Sequence, residues 1–66
     1  MRVTINGDPR DVPEGTSVAD LINHLQLNER RIAVELNRDI ILREHYTARL
    51  LADGDEVEIV HFVGGG

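Results

Sequence analysis

The chain has 66 residues, a net charge of −5, 41% apolar residues and no cysteine. That composition allows one small domain and excludes a disordered chain, a disulfide framework and a thiolate metal site. The acidic balance disfavours nucleic acid as a ligand, and no apolar run approaches membrane-spanning length, so neither is an expected partner.

Arg2 to Asn6 alternates, with Val3 and Ile5 on one face, and reads as a half-buried strand. Asn6-Gly7 signals a hairpin, although Asp8-Pro9 suggests a loop longer than two residues. Arg10 to Val12 is the expected return strand at a sheet edge, stopped by Pro13. A helix is expected from about Ser17 to Gln26. Ser17 and Asp20 have capping-box spacing, with a shorter acid than usual. Val18, Leu21, Ile22 and Leu25 form one apolar stripe, and Asn28 is the candidate for the left-handed residue that ends the helix.

Ile32, Val34 and Leu36 alternate in a third strand, Asn37-Arg38-Asp39 turns it, and Ile40 to Leu42 makes a short fourth. Arg43 to Arg49 is polar, with room for one helical turn holding Tyr46. Leu50 and Leu51 are expected to return to the core. Asp53-Gly54-Asp55 is a turn, and Glu56 to Phe62 is the last strand. The order is β-β-α-β-β-β, an α+β class. One helix cannot cover both faces of a sheet, so one face stays open.

Little in this chain is suited to catalysis. His24, His45 and His61 lack metal-site spacing, and there is no nucleophile elbow or phosphate loop. All three histidines read as structural or surface residues. The last strand, however, runs straight into Gly64, Gly65 and Gly66, where the chain stops. Residues without Cβ can thread a narrow channel in a partner, and an extended tail reaches roughly 13 Å from the sheet. The expectation is a domain over residues 1–63 that presents a tail over 64–66, with the carboxylate of Gly66 as the reacting group. A carboxylate is a poor electrophile, so ATP would have to adenylate it in another protein's active site. All seven cations are arginine. The chain therefore holds no lysine amine or cysteine thiol to attack an activated acyl group.

The ending Glu58-Ile59-Val60-His61-Phe62-Val63-Gly64-Gly65-Gly66 resembles that of the ThiS family, the sulfur carriers of thiamin biosynthesis. Leu36-Asn37, Ile40-Ile41, Arg43, Tyr46 and Asp53-Gly54-Asp55 resemble the family's middle segment. The likeness covers nearly the whole chain. It implies a ubiquitin-like β-grasp fold with a mixed sheet of about five strands, and a cytoplasmic protein that is not itself an enzyme. It also implies that a ThiF-type adenylyltransferase activates Gly66 with ATP. A sulfur donor, commonly a cysteine desulfurase, then forms a thiocarboxylate, and a ThiG-type thiazole synthase takes the sulfur. By the same resemblance no cofactor is bound to the carrier itself. Carriers for tRNA thiolation and the small subunit of molybdopterin synthase share this ending. A β-grasp module that binds its partner non-covalently is the alternative of a different kind.

Alternation in the last strand puts Val57, Ile59 and His61 on one face and Glu58, Val60 and Phe62 on the other. With Val57 and Ile59 as the core pair, Glu58, Val60 and Phe62 become the candidate docking residues. Filling a gap at the sheet edge is the alternative role for Phe62.

Overall fold

The computed structural model describes residues 1–62. Strands β1 (Arg2–Ile5) and β2 (Asp8–Asp11) precede helix α1 (Val18–His24). Strands β3 (Ile32–Leu36), β4 (Asp39–Ile41) and β5 (Glu56–His61) follow, with 3-10 turns at Glu29–Arg31 and Arg43–His45. They form a five-stranded sheet in the order β2-β1-β5-β3-β4. β1 and β5 are parallel, with Ile5 beside Val57, and every other neighbouring pair is antiparallel. The expected element order and mixed five-stranded sheet are both present.

The first hairpin is tighter than expected. Ile5 pairs directly with Asp8, so the loop is two residues, Asn6 and Gly7, with φ of 51° and 85°. Positive φ at both central positions is the turn geometry that matches strand twist. Pro9 does not lengthen the loop because it sits inside an edge strand. Thr4, its partner, donates its N–H to Asp55 on the β5 side, so the β2 position opposite needs no donor.

The N-terminus of α1 is capped as its sequence indicates. Ser17 Oγ accepts from the Asp20 N–H, and Asp20 Oδ2 accepts from the Ser17 N–H, both at 3.0 Å. The next two helix donors, Val18 and Ala19, bond to the carbonyls of Arg49 and Tyr46. The loop after the second 3-10 turn is thereby fastened to the helix start.

The C-terminus departs from expectation. Gln26, not Asn28, takes the left-handed conformation, with φ of 59°. The Leu27 N–H reaches Ile22 and the Gln26 N–H reaches Asn23, which together make a Schellman ending. Reversing the chain there lets Leu27 pack against the core, as this motif's hydrophobic contact requires. Asn28 instead caps the following 3-10 turn, accepting from the Arg30 N–H at 2.9 Å.

The core lies between α1 and one sheet face. Val3, Ile5, Ile32, Val34, Leu36, Val57 and Ile59 come from the sheet, and Val18, Leu21 and Ile22 from the helix. Tyr46 and Leu51, from the segment between β4 and β5, join it. Leu50 does not return to the core. Its backbone bridges Ser17, and alternation then turns one leucine of the pair inward and the other out, leaving Leu50 59% exposed. Among the described residues, no helix is long and apolar enough to cross a membrane.

Leu21→Ala should cost about 2–5 kcal/mol in chemical denaturation, because Leu21 is fully buried among core side chains. The Tyr46 phenol is pushed above its usual range, first by burial and then by the nearby Glu29 carboxylate. A folded-state pKa above the unfolded value contributes stability below the unfolded pKa. That contribution is lost as pH climbs through and above about 10. Tyr46→Phe should flatten this alkaline fall in a series of melts at rising pH while leaving the neutral melting temperature nearly unchanged.

Candidate functional site

β5 is the strand from which the expected tail would emerge, and it is held on both sides. It lies at the sheet centre, with β1 on one side and β3 on the other. Val57 and Ile59 point into the core. Beyond the strand, the Phe62 N–H still donates to the Arg31 carbonyl at 2.9 Å.

Two asparagines clasp its edges. β1 bonds to β5 through the Thr4 and Asn6 N–H groups and then turns away at Gly7. The Asn6 side chain continues the ladder. Its Oδ1 accepts from the Ile59 N–H at 2.8 Å, and its Nδ2 donates to the Ile59 carbonyl at 3.2 Å. A side-chain amide carries the same donor and acceptor as a peptide, so it substitutes for the missing strand residue. Asn37 acts at the other end of β5. Its Oδ1 accepts from the Glu56 N–H at 2.9 Å, and its Nδ2 donates to Asp55 Oδ1 at 3.0 Å. Both asparagines sit in turns at positive φ, 51° and 52°. Asparagine tolerates that region better than most residues, and here its amide is also used. The sequence shows Asn6 and Asn37 only as turn residues, because nothing local reveals a bond spanning 53 positions.

The face of β5 away from α1 is open. Val60 and Phe62 are 52% and 62% exposed, which removes Phe62 from the core. Glu58 lies on the same face, directly opposite Glu35 of β3, and Val60 lies opposite Ala33. Two carboxylates in opposed positions repel, an arrangement that weakens a sheet standing alone. Among the described residues the one ion pair is Arg2 with Asp11, at 3.1 Å, so no arginine there neutralises the two glutamates. That pairing holds the Asp11 carboxyl below its usual range, first through the hydrogen bond from Arg2 and then through its charge.

His24, His45 and His61 are all exposed, His61 at the end of β5. Among the described residues no cluster of acids and histidines is placed to hold a metal ion. Of the residues singled out in the sequence, Glu58, Val60 and Phe62 therefore come together on one surface. Gly64, Gly65 and Gly66 lie outside the described residues.

A mixed five-stranded sheet crossed by one helix, with its first and last strands parallel at the centre, is a ubiquitin-like β-grasp domain. A family model described as the ThiS family matches residues 3–66, and the chain belongs to that family. A crystal structure of a thiamine biosynthesis protein (ThiS) from Geobacter metallireducens superimposes with a TM-score of 0.86. It shares 38% identity, with all of both chains covered. The sulfur carrier protein ThiS of Bacillus subtilis is 46% identical over 50 residues, 76% of each chain. A thiazole synthase of Magnetococcus marinus is 36% identical over all 66 residues. The chain spans only 20% of the length of that synthase.

Asn6→Gly keeps a residue suited to positive φ and removes only the amide. It should destabilise the fold by about 1–3 kcal/mol, the cost of leaving buried ladder groups unpaired. Hydrogen exchange should show the loss locally, as faster exchange of the Ile59 amide than of the Val34 amide.

Proposed function

We propose that this chain is a sulfur carrier whose Gly66 carboxylate becomes a thiocarboxylate and supplies sulfur for the thiazole of thiamin. The observation that carries this reading is the extent of the family match. It runs from β1 through the last glycine rather than stopping at the end of the fold. The thiazole synthase that contains a segment like this entire chain supports the pairing of the carrier with a synthase of that type.

A carboxylate oxygen of Gly66 attacks the α-phosphorus of ATP in a ThiF-type adenylyltransferase and displaces pyrophosphate. The terminal sulfur of a persulfide formed by a cysteine desulfurase or another donor then attacks the acyl carbon and displaces AMP; a thiol reductant cleaves the resulting acyl disulfide, and the thiocarboxylate released passes to a ThiG-type thiazole synthase. The carrier's own residues orient the reaction and supply no acid, base or nucleophile. Gly64 and Gly65 keep the approach to the partner's active site thin. The double clasp on β5 keeps the root of the tail fixed relative to the docking face. Glu58, Val60 and Phe62 form that face. Val60 and Phe62 give it an apolar anchor, and a partner cation near Glu58 would relieve its repulsion with Glu35. We place these steps in the cytoplasm, and no cofactor is assigned to the carrier.

Removal of Gly66 should leave melting unchanged and abolish both ATP–pyrophosphate exchange on a cognate adenylyltransferase and thiocarboxylate formation by intact mass. Phe62→Ala should leave melting unchanged and weaken partner binding about tenfold or more, as expected for an exposed aromatic anchor. Full activity in the shortened chain would overturn the carrier reading. Unchanged affinity in the Phe62 variant would move the docking face elsewhere.

A further inference from the structure

Of the four asparagines in the chain, only Asn6 is followed by glycine; Asn23, Asn28 and Asn37 precede His24, Glu29 and Arg38. The difference is chemical. A backbone nitrogen can attack the side-chain amide of the asparagine before it, and a Cβ on the attacking residue crowds that approach. Gly7 carries none, and beyond its chain neighbours no atom lies within 4 Å of where one would sit. Asn6-Gly7 is therefore the place in this chain most open to ring closure by a thermolabile asparagine.

The fold uses the same amide that this reaction destroys. The Asn6 N–H donates to the Val57 carbonyl at 2.9 Å. Its Oδ1 accepts from the Ile59 N–H at 2.8 Å, and its Nδ2 donates to the Ile59 carbonyl at 3.2 Å. Ring closure needs Cγ to swing back over the Gly7 nitrogen and Nδ2 to leave. With both ends of the amide bonded to Ile59, Cγ is held toward β5 instead. The reaction has to wait until the hairpin tip leaves β5, so its rate is that of the open form scaled by the fraction open.

We propose that Asn6 is a self-modification site: the clasp on β5 holds back its deamidation through Gly7, and deamidation in turn releases the clasp irreversibly. The reaction consumes only water. The Gly7 nitrogen gives up its proton and bonds to Asn6 Cγ, while Nδ2 takes up a proton and departs as ammonia. Water then opens the cyclic imide. Cleavage between Cγ and the Gly7 nitrogen leaves aspartate at this position. Cleavage at the Asn6 backbone carbonyl leaves isoaspartate, with the main chain rerouted through Cβ and Cγ.

Each product carries one more negative charge, and neither has Nδ2. In the aspartate form an acceptor oxygen faces the Ile59 carbonyl, which loses its donor on that side. In the isoaspartate form an extra main-chain carbon enters a two-residue turn whose ends pair as Ile5 and Asp8. Asn37 clasps the other end of β5 with its own amide, but Arg38 follows it. Only one of the two clasps therefore has this chemistry. The site follows from the fold and does not depend on the carrier reading.

The test is incubation of the full chain at mildly alkaline pH, native and in guanidinium chloride, with peptide mass mapping at intervals. In the denatured chain Asn6 should react ahead of Asn23, Asn28 and Asn37. In the native chain it should react at least about tenfold more slowly than in the denatured one, equivalent to about 1.4 kcal/mol of opening free energy. The aged native protein, separated by its extra negative charge, should melt lower than the unmodified chain. Its Ile59 amide should also exchange faster relative to that of Val34. Asn6→Asp supplies the aspartate product directly and should show the same two changes. Equal rates in the native and denatured chains would mean that the clasp gives no protection, and would overturn the proposal. So would a deamidated chain that melts and exchanges like the unmodified protein, or another asparagine reacting first in the denatured chain.

Discussion

The interaction on which the rest of this structure depends is the double anchorage of β5. A strand at the centre of a sheet normally relies on full-length neighbours. Here β1 is four residues long and leaves at Gly7, before β5 has finished. Without the Asn6 amide, the N–H and C=O of Ile59 would face a neighbour that has gone, on a residue whose side chain is buried. Asn37 meets the same problem where β5 begins. Both clasps come from turn residues, so the tight hairpins and the security of β5 have a common origin. Lengthening either turn would move the amide out of reach.

This anchorage also separates the two faces of the strand. Val57 and Ile59 are fixed in the core by α1, which commits Glu58 and Val60 to the other side by alternation alone. The open face is therefore a direct result of having one helix for a five-stranded sheet. What occupies that face, a valine, a phenylalanine and two opposed glutamates, is not what stability alone would favour. Local choices that oppose stability are most often retained at functional surfaces. The proposed docking role gives these residues a common reason.

Much of the fold was legible in the sequence because period and capping agree there. The alternation Ile32-Val34-Leu36 and the stripe Val18-Leu21-Ile22-Leu25 each allow one buried face, and all are buried as read except Leu25, which is half-buried at the helix cap. The readings that failed concern residues decided by distant contacts. Gln26 rather than Asn28 reverses the chain because Leu27 has a place in the core two residues after the helix cap. Leu50 faces outward because only one of two adjacent residues can point inward beside α1. Asp8-Pro9 looked like loop because the strand at that position sits at an edge, where a missing N–H costs nothing. The exposed patch proposed for docking was partly legible, since alternation placed Glu58, Val60 and Phe62 on one face. Its charge opposition was not, because Glu35 meets Glu58 only through the register of β3 on β5.

The size of the domain bears on how its chemistry can be organised. A 66-residue chain buries one layer of side chains between helix and sheet and has no second layer in which to hold a dry pocket. Perturbed acids and bases need such a pocket, and among the described residues the group whose shift is caused chiefly by burial is Tyr46, a core residue. A fold of this kind serves chemistry best by holding a strand still and exporting its end. Rigidity is then needed at the root of that strand, where Ile59 is clasped, and permissiveness is needed only beyond it. In the proposed carrier role that permissiveness falls to the three glycines that follow Val63 in the sequence.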